Sequence, residues 1–188
     1  MPILKQEDDI FPDDLLERAT LTKLSSEDRV WWCVYTISRR EKDLMRKLRS
    51  LEIPHYGPVL PKRFRSPNGR LRTSFIPMFP NYVFMLANED ERTRAMTTNC
   101  ISSCTQVVQD EPLIEDLRQI CSIVDQGEAL TPEAKLQAGS RVRVRSGPFA
   151  GLEGDVIRRE GKTRLLLSVR YLEQGASMEM DEALLESV

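Results

Sequence analysis

The sequence predicts an α+β domain followed by a small all-β barrel, and three observations carry that prediction. The run Val30-Trp31-Trp32-Cys33-Val34-Tyr35-Thr36-Ile37 is β-branched and aromatic, and its length suits a buried strand. Leu44, Leu48 and Leu51 then recur on one helical stripe. From Gly139 the period changes to two in Arg141-Val142-Arg143-Val144-Arg145, and short strand-like segments separated by glycine turns follow.

Taken in order, residues 1–29 are polar and acidic. Their short apolar patch, Ile10-Phe11 and Leu15-Leu16, is too small to build a core, so the segment reads as an acidic tail or an appended helix. After the first strand, Ser38-Arg39-Arg40-Glu41 has the pattern of a capping box, and Pro54 stops the helix. Residues 56–87 read as a strand, a basic hairpin turning at Ser66-Pro67-Asn68-Gly69, and a returning strand that ends in Tyr82-Val83-Phe84-Met85-Leu86. A short polar helix is predicted over 88–98 and an edge strand at Gln106-Val107-Val108. Pro112 in a first turn, the apolar Leu113, Leu117, Ile120, Cys121 and Val124, and Gly127 past the end specify another helix. Residues 128–138 have no consistent apolar period and read as a linker. Strands are predicted near 154–159, 163–170, 176–180 and 184–188. The domain reading is therefore 1–29, 30–127, 128–138 and 139–188.

Composition narrows the function classes. The 188 residues are 40% hydrophobic and 30% charged, enough for a folded core but small for a large catalytic scaffold. No apolar run approaches the roughly 20 residues of a membrane span. The acidic start is unlike a secretory signal, and four scattered cysteines do not make a disulfide framework, so a reducing cytoplasm is expected. The net charge of −2 divides into −4 over residues 1–29, +3 over 30–127 and −1 over 128–188. Tight non-specific DNA binding wants a stronger positive field, so any nucleic-acid contact is expected to be local and assisted by a protein partner. The single histidine, His55, reads as a surface or structural residue, and Cys100-x-x-x-Cys104 lacks a second pair of metal donors. Neither a catalytic centre, a metal site nor a cofactor is expected.

Three blocks in order resemble the NusG family of transcription elongation factors. They are Trp31-Trp32-Cys33-Val34-Tyr35-Thr36 with Arg39-Arg40-Glu41, then Phe79-Pro80-Asn81-Tyr82-Val83-Phe84, then Gly147-Pro148-Phe149-Ala150-Gly151-Leu152-Glu153-Gly154. The resemblance covers about residues 30–188. It implies an α/β sandwich with a mostly antiparallel sheet, then a small SH3-like KOW barrel. It also implies a monomeric, non-enzymatic elongation or antitermination factor that binds the clamp helices of the largest catalytic subunit of RNA polymerase. The matching polymerase-binding positions are Tyr35, Phe79, Tyr82 and Phe84. Of these, Phe79 and Tyr82, beside the Pro-Asn turn, are expected on the docking surface, and mid-strand Phe84 is open between surface and core. Asn81 stands where the family usually has glycine and tolerates the same positive φ. The same tetrapeptide occurs in the specialised RfaH-like branch, which points toward a specialised member.

Two further surfaces follow from the resemblance. Arg39, Arg40, Lys47, Lys62, Arg63, Arg65, Arg70 and Arg72, on one helix and around the hairpin, are expected to meet DNA near the transcription bubble. In the barrel, Phe149, Tyr171 and Leu172 are the partner-binding positions. Family barrels recruit termination factor Rho or a small-subunit ribosomal protein there, although this chain lacks the glycine and arginine of that patch. The competing reading is a ribosome-associated structural protein whose KOW module binds RNA, which a strongly basic chain would have favoured.

Overall fold

A computed structural model describes residues 7–17, 28–133 and 139–188. The remainder of the expected acidic segment and of the expected linker lies outside the described residues. The chain divides into two compact units, Met1–Asp110 and Glu111–Val188.

The first unit is built on β1 (Ile10–Phe11), β2 (Val30–Thr36), β3 (His55–Tyr56), the ribbon strands β4 (Val59–Arg65) and β5 (Leu71–Pro77), β6 (Tyr82–Ala87) and β7 (Ile101–Gln106). Five of these form an antiparallel sheet in the order β1-β3-β6-β2-β7, while β4 and β5 pair only with each other. Helix α1 (Glu41–Ser50) lays Leu44, Met45 and Leu48 on the sheet face made by Trp32, Val34, Val83, Met85 and Ala87. The opposite face carries Trp31, Cys33 and Tyr35 against Leu86, Phe84 and Tyr82 in direct register. Both faces are buried over most of β2, which is why its sequence is a continuous apolar run rather than an alternation.

Three expectations are corrected in this unit. The acidic head does contribute to the core, because Leu15 and Leu16 are buried and β1 pairs with β3. Asp9 ties it down: its carbonyl accepts from Gly57 N–H at 2.8 Å and its carboxylate from Val59 N–H at 2.9 Å. The expected capping box at Ser38 and Glu41 does not form. Arg40 is the N-cap, with no side-chain cap, and Glu41 bonds elsewhere. A reciprocal capping box instead opens α2 (Glu89–Met96), where Asn88 Oδ1 accepts from Glu91 N–H and Glu91 Oε2 accepts from Asn88 N–H. The edge strand is β7, one strand-length earlier than the expected segment at 106–108.

The second unit contains α3 (Asp110–Asp125), β8 (Thr131–Glu133), β9 (Ser140–Val144), β10 (Glu153–Arg159), β11 (Lys162–Val169), β12 (Gln174–Glu179) and β13 (Leu185–Ser187). Its six strands make one antiparallel sheet in the order β13-β9-β10-β11-β12-β8. Val142, Val144, Phe149, Leu165, Leu167 and Met178 form one core, as expected of a small KOW-type barrel. Gly154 and Gly175 are required there by close approach. A Cβ on Gly154 would lie 2.5 Å from the Leu166 carbonyl oxygen, and one on Gly175 would lie 2.3 Å from that of Leu167.

The domain boundaries shift accordingly. The expected linker contains β8, which pairs with β12. Helix α3, assigned from sequence to the first domain, groups with the second unit: Ile123 joins the barrel core, and buried Asp116 accepts from the Arg170 N–H at 2.9 Å and pairs with its guanidinium at 2.9 Å. An apolar stripe shows that a helix packs on something, but it does not say on which core.

Candidate functional site

Two exposed features of the first unit stand out from its core. The first is an aromatic pair at one end of the main sheet. Strands β2 and β6 bring Tyr35 opposite Tyr82, with ring centroids 5.1 Å apart and planes at 66°. Tyr35 is 39% exposed and Ile37 follows it into solvent. The turn before β6 fixes Tyr82. Asn81 adopts φ 67°, the left-handed region that asparagine tolerates better than most residues. Its N–H donates to Glu41 Oε1 at 2.8 Å and its carbonyl accepts from Thr36 N–H at 2.7 Å. Buried Glu41 therefore locks the turn to the first turn of α1. Burial, reinforced by Cys33 and Tyr35, raises the Tyr82 phenol above its ordinary pKa, so it remains neutral.

Phe79 and Phe84 do not join this surface. They are 1% and 0% exposed and pack edge to face, with centroids 6.2 Å apart and planes at 84°. The expectation that Phe79 docks a partner is corrected. The left-handed step at Asn81 separates it from Tyr82, sending Phe79 inward and leaving Tyr82 partly in solvent.

The second feature is the β4–β5 ribbon. Its tip is closed by Ser66 N–H to Arg70 O at 2.9 Å and Gly69 N–H to Ser66 O at 2.8 Å, with Gly69 at φ 74°. Lys62, Arg63, Arg65, Arg70 and Arg72 are all exposed. Among the described residues these five, with Arg39, have no side-chain hydrogen bond or ion pair, whereas every other lysine and arginine has a partner.

The remaining basic candidates behave differently. Arg40 is paired with Asp43 at 2.9 Å. Lys47 donates to the Thr98 carbonyl at 2.9 Å and lies 3.3 Å from Asp43 and 3.4 Å from Cys100 Sγ. Arg40, then Cys100 and Lys47, hold the Asp43 carboxyl below its usual pKa. Lys47 and Arg40 are thus local tethers, while Arg39, at φ 63°, projects freely.

In the second unit, Phe149 is 8% exposed and belongs to the core, so its expected place on a partner surface is corrected. The segment between β9 and β10 turns it inward to fill the barrel. Tyr171 is exposed and Leu172 half-buried on the 3₁₀ turn Arg170–Leu172, directly after the Asp116–Arg170 pair. His55 is buried. Its Nδ1–H donates to the Ile53 carbonyl at 2.8 Å and Phe11 stacks on its ring. The exposed Phe64 and Leu71 of the ribbon are absent from the sequence-based site, although an aromatic set among cations next to a strong turn was a visible signal.

A family model supplies the wider context: residues 29–132 match NusG, described as "Transcription termination factor nusG". The chain belongs to the NusG family. It is a transcription termination/antitermination factor of that family, whose members are transcription factors rather than enzymes. The NusG match runs from the start of β2 to β8 and so crosses the division between the two units. The chain is 28% identical over 141 residues to the transcription termination/antitermination protein NusG of Staphylococcus aureus strains N315 and MW2, spanning 67% of this chain and 77% of each relative. Among solved structures it is similar to Thermotoga maritima NusG, described for its domain interaction, at 17% identity and a TM-score of 0.46, covering 86% of this chain and 98% of the other. It is also similar to the MjSpt4:Spt5 complex at 15% identity and a TM-score of 0.29, covering 84% and 96%. Among the described residues of this NusG-family chain, no helix is long and apolar enough to cross a membrane.

Proposed function

We propose that this NusG-family chain binds RNA polymerase at the clamp helices of the largest catalytic subunit through Tyr35 and Tyr82. It would do so in the cytoplasm as a monomer that modulates elongation or termination. The observation that carries the reading is the solvent-facing Tyr35–Tyr82 pair, seated on two central strands and locked by Glu41. Rigid aromatics supply contact area at low entropic cost and dominate hot spots, and a pair mounted on paired strands loses little freedom on docking. The unpaired ribbon cations and Arg39 support a second contact to DNA near the bubble, through phosphates. Tyr171 and Leu172 are the positions through which the second unit would engage a partner such as Rho or a small-subunit ribosomal protein.

Binding of labelled full-length protein to core polymerase tests the main claim. Tyr35→Ala and Tyr82→Ala should each weaken affinity about 30-fold, the effect of losing roughly 2 kcal/mol at a hot spot, with little change in thermal midpoint. Phe79→Ala should instead destabilise the fold by about 3–5 kcal/mol, as truncating a large buried side chain does. Unchanged polymerase affinity in a folded Tyr35/Tyr82 double variant would sink the assignment. For the DNA contact, neutralising Arg63, Arg65, Arg70 and Arg72 together should flatten the salt dependence of binding to an elongation complex, by about 0.7 to 0.9 in log-log slope for each phosphate no longer neutralised. An unchanged slope would reduce the ribbon to a solvated turn.

A further inference from the structure

We infer that Asp9 of the acidic head is a positioning residue for the β4–β5 ribbon, fixing the angle at which the ribbon leaves the first unit. This rests on the phosphate-contact reading of the ribbon and gives the head a part in it.

The ribbon needs an anchor. β4 and β5 pair only with each other, and within β4 only Val59 and Leu60 are buried, so Pro61 to Arg65 stand in solvent. A two-stranded ribbon with no lateral neighbour is marginal in water, and its direction is set by what holds its base. Asp9 meets that base twice. Its carbonyl accepts from Gly57 N–H at 2.8 Å, and its carboxylate accepts at 2.9 Å from the N–H of Val59, the first residue of β4. On the other strand, Lys42 of α1 donates to the Phe75 carbonyl, opposite Pro61 in the register. A tie on each strand fixes a direction, where a single tie leaves a hinge.

The head is itself held to α1, which gives its acidic charge a use. Arg49 donates to the Ile10 carbonyl at 2.7 Å, lies 3.4 Å from the Asp8 carboxylate and places its guanidinium 5.2 Å from the Phe11 ring centroid. Arg46 pairs with Glu7 at 3.0 Å. Ile10 and Phe11 then pair with Tyr56 and His55. Asp9 thus stands within a clamped stretch, and its carboxylate leaves the β1–β3 ladder to reach β4. A head that only added stability would use the ladder, the Phe11 stacking and the arginine pairs, without an acceptor aimed at Val59. Through Glu41 the same helix holds the Asn81 turn, so α1 sets the Tyr82 ring directly and the ribbon cations by way of the head. Groups already in place bind more tightly, because the entropy of ordering them is spared.

The test uses the full chain, with backbone nitrogen-15 relaxation and binding to a reconstituted elongation complex. Asp9→Ala should lower the order parameters of residues 62–73 from about 0.85 to about 0.6 while leaving those of β2 and β6 unchanged. It should weaken binding about fivefold. The log-log salt slope should not change, since no phosphate contact is removed. Asp9→Asn keeps an acceptor oxygen and should recover both the order and the affinity. A ribbon in Asp9→Ala as ordered as in the wild type would overturn the inference. So would a fall in order spread through the whole first unit, which marks a structural role alone, or an Asp9→Asn variant as impaired as Asp9→Ala. If the ribbon loosens and binding stays normal, the variant with four neutralised ribbon arginines locates the failure. A salt slope that falls in that variant keeps the phosphate contact and removes the role of Asp9, whereas an unchanged slope removes the contact and the inference with it.

Discussion

At the scale of single residues, His55 shows how burial converts an ordinary side chain into a pH-dependent element of stability. Burial is the main cause that pushes its pKa down to about 4 from 6.5, with the Arg49 guanidinium adding to the effect and the bond to the Ile53 carbonyl opposing it. Between those two values the unfolded chain binds a proton that the folded chain refuses. The stabilisation is therefore complete above pH 6.5 and is lost as pH falls toward 4, by up to about 3 kcal/mol. Carboxylates elsewhere in the chain such as Asp43, Glu91 and Glu153 have pKa values held below the ordinary carboxylate range by arginine partners and titrate at lower pH. Urea denaturation midpoints should fall between pH 6.5 and 5 for the wild type, and this slope should vanish in His55→Leu, whatever its overall stability. A wild-type curve that is flat across that window would show that the ring is accessible to protons. The sequence placed His55 as surface or structural. Only the pairing of β1 with β3 buries it under Phe11.

At the scale of elements, the Glu41–Asn81 bond connects the start of α1 to the turn that aims Tyr82. Glu41→Ala should leave the Asn81 N–H without its acceptor and cost about 1–3 kcal/mol, as removing a bond to a buried or charged partner does. It should also weaken polymerase binding more than that loss of stability explains, because Tyr82 no longer has its fixed setting. Glu41→Gln keeps an acceptor oxygen and should recover most of the affinity. Chemical denaturation alongside polymerase titration reads both, and full affinity in Glu41→Ala would show that the turn holds without the bond. The same residue explains a misreading of pattern. Ser38 and Glu41 have capping-box spacing, but the helix starts with Arg40 as N-cap, so Glu41 is at its first position and reaches across to another segment. Asn88 and Glu91 have the same spacing in the correct register and do form the box. Spacing alone does not set the phase of a helix start.

At the scale of the whole molecule, the division at 110/111 changes which fragments should be stable. Residues 139–188 alone lack β8, which covers β12, together with Ile123 of the barrel core and Asp116, the partner of Arg170. A fragment of residues 111–188 should melt cooperatively. The shorter fragment should be less stable by about 2–4 kcal/mol, the combined scale of a core truncation and the removal of a buried hydrogen-bonded carboxylate. Differential scanning calorimetry of the two fragments decides the matter, and identical midpoints would restore the boundary at 139.

Features of local origin were legible in the order of the amino acids. The β2 run, the α1 stripe, the Ser66–Gly69 turn and the alternation at Val142 and Val144 each declare an element, because strand pairing, helix periodicity and turn geometry depend on neighbours in the chain. The three ordered motifs placed the chain with NusG-like proteins on the same local information. Folding in three dimensions was needed to show which aromatics of the Phe79-Pro80-Asn81-Tyr82 block face solvent, since the left-handed residue reverses direction by an angle that composition does not encode. It was also needed to bring Leu15, Leu16 and the Ile10–Phe11 strand into the first core, and α3 and β8 into the second unit. The same holds for which cations are neutralised, because ion pairs such as Arg29–Glu91 and Arg170–Asp116 join residues far apart in the chain. Burial and charge compensation are properties of three-dimensional proximity, so the free cations of the ribbon and Arg39 became visible only when the other described cations had found their partners.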